Sequence, residues 1–187
     1  MTESRDELEL CSKWAVTVDD MARHLLQLQP TILHFSGHGA PGTPHRAVSS
    51  PARRDVGGVG PARTGGIYLQ NEHGGSHIVT PRALRMMIRS SAASVRLVVL
   101  NACYSDDQAD ELRSAVDCVV GMTGAIRDDA ARAFAAGFYR ALGHRCSVGE
   151  ALEHARATLA CLQLPDEQPQ CRTRDGIDAN SVKLAPT

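Results

Sequence analysis

The chain has 187 residues with 20 basic and 21 acidic side chains and a formal net charge of −1, a length that suits one domain. Charge this close to balance gives no general basis for binding nucleic acid or an anionic membrane. Aromatics are only 4% of a chain that is 43% hydrophobic, so aliphatic side chains and alanine must fill a single core; no apolar stretch approaches the roughly 20 residues of a membrane span.

The N-terminus is acidic and polar, unlike a signal peptide. Cys11, Cys103, Cys118, Cys146, Cys161 and Cys171 form no CxxC pair and are too sparse for a secreted disulfide scaffold. A reducing cytoplasm is the expected setting, with Cys103 as a free thiol.

Residues 8–16 alternate imperfectly and predict an edge strand. Thr17 reads as an N-cap, with Asp19 and Asp20 in the first turn. Met21, Leu25 and Leu28 recur at i, i+4 and i+7, which predicts a helix over 18–29 that Pro30 stops. Residues 31–35 are short, apolar and partly β-branched, as in a buried strand. Residues 40–66 are rich in Gly, Pro, Ser and Arg and predict a long flexible loop, of a length that is usually functional or mobile. Arg53, Arg54 and Arg63 could make it protease-sensitive, although a solvated loop is the commoner outcome. Residues 67–69 and 77–79 flank Asn71-Glu72-His73-Gly74-Gly75, a hairpin pattern.

Thr80-Pro81 opens the next helix with Pro at its first position, and Leu84, Met87 and Ile88 form its stripe. Residues 95–100 are the most continuous apolar run, which fits a central parallel strand covered on both faces. Ser105-Asp106-Asp107-Gln108 reads as a capping box for a helix to about Val116. Residues 118–122 predict a further buried strand and 128–142 an alanine-rich helix. Ser147-Val148-Gly149-Glu150 is another capping box, followed by Leu152, Ala155 and Leu159 on one face. From about 163 the chain reads as a polar tail, with Val182-Lys183-Leu184 as a last edge strand. No internal repeat is evident. Alternating strands and helices predict an α/β fold with a mainly parallel sheet, in a single domain over 1–187.

The chemistry sits at two strand ends. Ser36-Gly37-His38-Gly39 ends one apolar run and Asn101-Ala102-Cys103-Tyr104-Ser105 ends another. Reactive groups of open parallel sheets gather beyond the carboxyl ends of the strands. If these strands are neighbours, His38 and Cys103 can approach across one crevice. A helix opening near Ser105 would aim its positive end at Cys103 and favour the thiolate. His38 could accept the thiol proton or protonate a leaving amine. The amides of Gly39 and Cys103 are candidate oxyanion donors, and Gly37 and Gly39 allow a sharp bend and close approach.

Blander readings compete. A buried cysteine is more often a small core hydrophobe than a nucleophile, and a histidine in a glycine-rich turn could simply cap a loop. The two at matching strand ends favour catalysis. His34 lies inside its strand and faces packing or a polar partner. His73 and His77 fall in the hairpin, and His45, His144 and His154 on the surface. The spacing of His34 and His38 breaks helical geometry, so no metal site is expected. Asp106-Asp107 and Asp128-Asp129 sit at predicted helix starts, where they complement the helix dipole or line a pocket for a basic residue.

Residues 32–39 and 98–105 together resemble the CHAT domain family, bacterial relatives of caspases and separases. Val119-Val120-Gly121-Met122, Ala125-Ile126, Asp128, Ala133-Phe134-Ala135 and Phe138-Tyr139 are similar to that family's later segments, and the likeness spans about 8–162. The resemblance implies a three-layer caspase-like sandwich and a regulated cysteine endopeptidase. His38 and Cys103 would be its catalytic dyad, and Gly39 its oxyanion amide. It implies a protein substrate, an activating or regulatory protein partner, a role in bacterial defence or cell death, and no cofactor. Asp128 falls where similar proteins shape the substrate pocket. Asn101 stands where metacaspases commonly carry an Asp that selects basic residues, so Arg or Lys specificity is not implied. The 40–66 loop is longer than usual for the family. The strand and helix that usually open the domain are not evident, which implies a sheet short of one strand, or one supplied by a partner. The alternative is a caspase-like pseudo-enzyme that acts as a binding module. A non-peptidase hydrolase or ligand-binding domain ranks last, because Gly57-Gly58-Val59-Gly60 lacks a strand-to-helix context.

Overall fold

A computed structural model describes residues 9–42, 65–166 and 168–184. Most of the 40–66 loop, including His45, Arg53, Arg54 and Arg63, lies outside the described residues.

In chain order the elements are α1 (Val18–Leu28), β1 (Ile32–Ser36), β2 (Gly39–Ala40), β3 (Gly66–Gln70), β4 (Ser76–Val79), α2 (Pro81–Ser91) and β5 (Leu97–Asn101). They continue with α3 (Asp106–Leu112), β6 (Cys118–Met122), α4 (Asp128–Gly143), α5 (Val148–Cys161) and β7 (Pro169–Thr173), followed by a 3-10 turn at Ala179–Ser181. The main sheet has the order β1-β5-β6-β7. Its first two pairings are parallel, and β7 adds antiparallel to β6. A second sheet, β2-β3-β4, is wholly antiparallel.

Side-chain alternation divides the core into two layers about the main sheet. Leu97, Val99, Cys118, Val120 and Met122 pack with α4 and α5, around Phe134, Phe138 and Leu159. Val98, Leu100 and Val119 face the other way, with Met21, Leu25, Leu84, Ile88 and Leu112 of α1 to α3 and Ile67, Leu69 and Val79 of the small sheet. Every residue of β5 and β6 is buried, as expected for strands covered on both faces. This is a mixed α/β architecture with helix, sheet and helix layers, consistent with a caspase-like fold.

The helix starts follow from their caps. Thr17 and Ser147 each form a complete capping box, and Thr80 accepts from the Ala83 amide ahead of Pro81. Ser105 does not. It precedes α3 without a side-chain cap, because its hydroxyl is used elsewhere, and α3 stops at Leu112 rather than near Val116.

Two edge-strand expectations fail. Residues 9–16 form no strand, and leave Leu10 87% and Trp14 90% exposed. Only their end is tied to the small sheet, where the Gln70 amide donates to the Val16 carbonyl at 3.0 Å. Residues 182–184 are not a strand either. The last strand is β7, inside the stretch that reads as a polar tail. Its pairing with β6 runs from Cys118–Thr173 to Met122–Pro169.

Candidate active site

The β1–β5 register pairs Ser36 with Asn101. His38 and Cys103 therefore each stand two residues past the last paired position, on strands that parallel pairing holds about 4.8 Å apart. The ladder continues for one more bond, from the Gly37 amide to the Asn101 carbonyl at 3.4 Å. The chain then leaves for the small sheet, where the Tyr68 amide donates to the His38 carbonyl at 3.0 Å. His38 is exposed and Cys103 is half-buried.

Gly39 is the tightest point of the turn. A Cβ there would stand 2.3 Å from the Cys103 carbonyl oxygen, so only glycine fits. Gly39 pairs with Ile67, and the adjacent bond runs from Tyr68 to His38. Gly39 thus occupies a position whose N–H points away from β3, on a residue packed against Cys103.

Cys103 is framed from three sides. Its S–H donates to the Ile126 carbonyl across 3.8 Å. Tyr104 follows with φ 54°, a left-handed conformation that non-glycine residues rarely adopt. The Tyr104 amide donates to the Gly124 carbonyl at 3.0 Å. Behind it, the fully buried Ser105 hydroxyl donates to the Leu100 carbonyl at 2.7 Å and accepts from the Met122 amide at 2.9 Å. One hydroxyl thereby joins β5 to β6 where the two strands separate. With seven residues, α3 offers the thiol the field of only a short helix.

The remaining predicted residues fall around this turn. Asn101 is 4% exposed and donates to the Ala131 carbonyl at 2.9 Å, fastening β5 to α4. Its Oδ1 is buried without a protein partner. Asp128 is exposed at the start of α4, two residues beyond Ile126. Asp129 pairs with Arg127 at 2.8 Å. Asp106 is held by Arg172 of β7 through bonds of 3.0 and 2.5 Å. His34 lies on the α4 side of the sheet, with Nδ1 2.8 Å from the Tyr139 hydroxyl. Burial pulls its pKa down to about 4 and pushes that of Tyr139 up, so His34 is neutral near pH 7. Among the described residues, no three His, Cys, Asp or Glu side chains converge as metal ligands would.

Sequence reasoning missed Ser105 as a strand clamp, the left-handed Tyr104, and the Ile126 carbonyl facing the thiol. The buried serine after a strand carries a signal of its kind, but a capping box explains the same letters.

A caspase-like α/β sheet with a thiol and an imidazole beyond matching strand ends defines the class. Residues 3–173 match the CHAT domain family, and the chain belongs to it. It is also 22% identical over 174 residues to a protein named Roc-COR-CHAT protease, from an unknown prokaryotic organism. That match takes in 89% of this chain but 14% of the relative, so the chain corresponds to a small part of that protein. No helix among the described residues is long and apolar enough to cross a membrane.

Proposed function

We propose that this chain is a cysteine endopeptidase in which Cys103 is the nucleophile and His38 moves the proton. The carrying observation is the register: Ser36 opposite Asn101 sets His38 and Cys103 at one level, with Gly39 packed against the Cys103 carbonyl. The thiolate attacks the scissile carbonyl and forms a C–S bond. The amides of Gly39 and Cys103 hold the oxyanion, a contribution of about 3 kcal/mol per donor in comparable sites. His38 gives its proton to the leaving amine, then takes one from the water that hydrolyses the thioester. The chemistry needs no cofactor. Asp128, exposed two residues beyond the carbonyl that faces the thiol, is the proposed substrate contact, whereas Asn101, buried and bonded to the Ala131 carbonyl, acts on that pocket through α4.

The proposal extends to a protein substrate and to regulation by a protein partner in a cytoplasmic defence or cell-death pathway. The family membership and the relative's protease name support it. A second reading is a binding module of the same fold without turnover. Two surface features favour it: exposed Leu10 and Trp14, and β1 at the end of the sheet.

Cleavage of an unbiased peptide library by the wild type, set against Cys103→Ala, separates the two. The peptidase reading expects cuts that vanish in the variant. Iodoacetamide at neutral pH should alkylate Cys103 ahead of the other five cysteines, and His38→Ala should remove that preference. Even labelling of all six, with no Cys103-dependent cut, refutes it in favour of the binding module.

A further inference from the structure

Two cysteines outside the site share the α4–α5 face of the sheet. Cys118 on β6 pairs with Thr173, and Cys171 on β7 pairs with Val120. The two are therefore diagonal neighbours across an antiparallel pair, and both belong to the core layer under α5. The twist of a sheet shortens one diagonal of each such pair. The two thiols act directly on one another, each shifting the other's pKa, so theirs is the short one. Their surroundings differ sharply. Cys118 is fully buried, whereas Cys171 is partly open on the outermost strand of the sheet.

We propose that Cys118 and Cys171 form a peroxide-sensitive dithiol that closes to a disulfide joining β6 to β7. The arrangement divides the roles. The Cys118 thiol beside it, and the guanidinium charges of Arg156 and Arg172, lower the pKa of Cys171. Cys118 is pushed the other way by the same contact and by burial. Cys171 is thus the thiolate that meets the oxidant, and Cys118 the thiol that resolves it.

The step balances with hydrogen peroxide as oxidant. The Cys171 thiolate attacks one oxygen, the O–O bond breaks, and hydroxide leaves and takes a proton, giving a sulfenic acid. The Cys118 sulfur then attacks the Cys171 sulfur, the S–O bond breaks, and water departs with the Cys118 proton. Two thiols lose two electrons in total and one peroxide becomes two waters.

The bond would also reach the candidate site. Gln168, just before β7, donates to the Ala125 carbonyl at 2.9 Å, and its own carbonyl accepts from the Thr123 amide at 3.0 Å. β7 therefore holds the turn that carries Ile126 to Cys103.

The test is peptide mapping of the whole chain after a small excess of peroxide, without reduction. Tryptic peptides 114–127 and 157–172 carry the two cysteines, and Cys161→Ser removes the third thiol from the second peptide. The expected product is the two peptides joined, two hydrogens lighter than their sum and separated again by dithiothreitol. In Cys118→Ala, dimedone should trap a sulfenic acid at Cys171. Peroxide that oxidises other cysteines while both of these remain alkylatable overturns the proposal, as does a bridge from Cys171 to any other cysteine. The wild-type map stands whether or not Cys118→Ala folds.

Discussion

Ser105→Ala tests the clamp beneath the candidate nucleophile. The hydroxyl is fully buried and makes two bonds, to the Leu100 carbonyl and from the Met122 amide. Met122 pairs with Pro169 next to the Thr123-to-Gln168 bond, a non-hydrogen-bonded position, so its N–H points away from β7. Alanine removes the acceptor of the Met122 N–H in a region that water does not reach. An orphaned buried donor costs about 1–3 kcal/mol, and the carbonyl loses one bond as well, so the variant should be about 2 kcal/mol less stable. In a chain of this size that lowers Tm by about 4–8 °C. The assay is urea denaturation, compared with Ser114→Ala, whose exposed hydroxyl bonds only the Glu111 carbonyl one turn back. That control should stay within about 0.5 kcal/mol of wild type. If both variants match, Ser105 is not a clamp and the reasoning fails.

Three further outcomes follow from named atoms. Gly39→Ala drives a Cβ against the Cys103 carbonyl, so it should cost about 1–3 kcal/mol and slow iodoacetamide alkylation of Cys103; an unchanged rate would show that the turn yields freely. His34 is held near pKa 4 in the fold, below its ordinary value of about 6.5 in the unfolded chain. The unfolded state then binds more protons between those values, so stability is full above about pH 6.5 and declines by about 3 kcal/mol as pH falls towards 4. His34→Phe should flatten that part of the stability–pH curve, and equal slopes would contradict it. Gln108 is buried with neither amide atom bonded to protein, so Gln108→Met should leave stability unchanged or raise it by about 1 kcal/mol; a clear loss in urea denaturation would mean that the amide has a partner.

The parts of the fold that could be read from the letters are those in which local pattern and burial agree. β5 and β6 are covered on both faces, so they appear as unbroken apolar runs. Thr17, Thr80 and Ser147 cap helices through bonds to residues three positions on, within reach of a sequence pattern. β7 lacks such a signal. Pro169-Gln170-Cys171-Arg172-Thr173 is an edge strand whose polar members are occupied by distant partners, among them Asp106 for Arg172. Ser105 misled for the same reason. Its letters satisfy a capping rule, but its hydroxyl bonds residues 5 and 17 positions away, which no local window contains.

The proposed pair of His38 and Cys103 could be picked out because the apolar runs before them end cleanly. What could not be read is how His38 is held. That depends on β2, two residues long, and on the Tyr68 amide fixing the His38 carbonyl from the small sheet. The thiol level is thus set by the main sheet and the imidazole by the junction of the two sheets, with Gly39 as the point of closest approach. A side chain at Gly39 must displace one sheet against the other, whereas loosening Ser105 disturbs only the thiol side. The two variants therefore separate the supports. Gly39→Ala should alter the partnership of His38 with Cys103, and Ser105→Ala the placement of Cys103 itself.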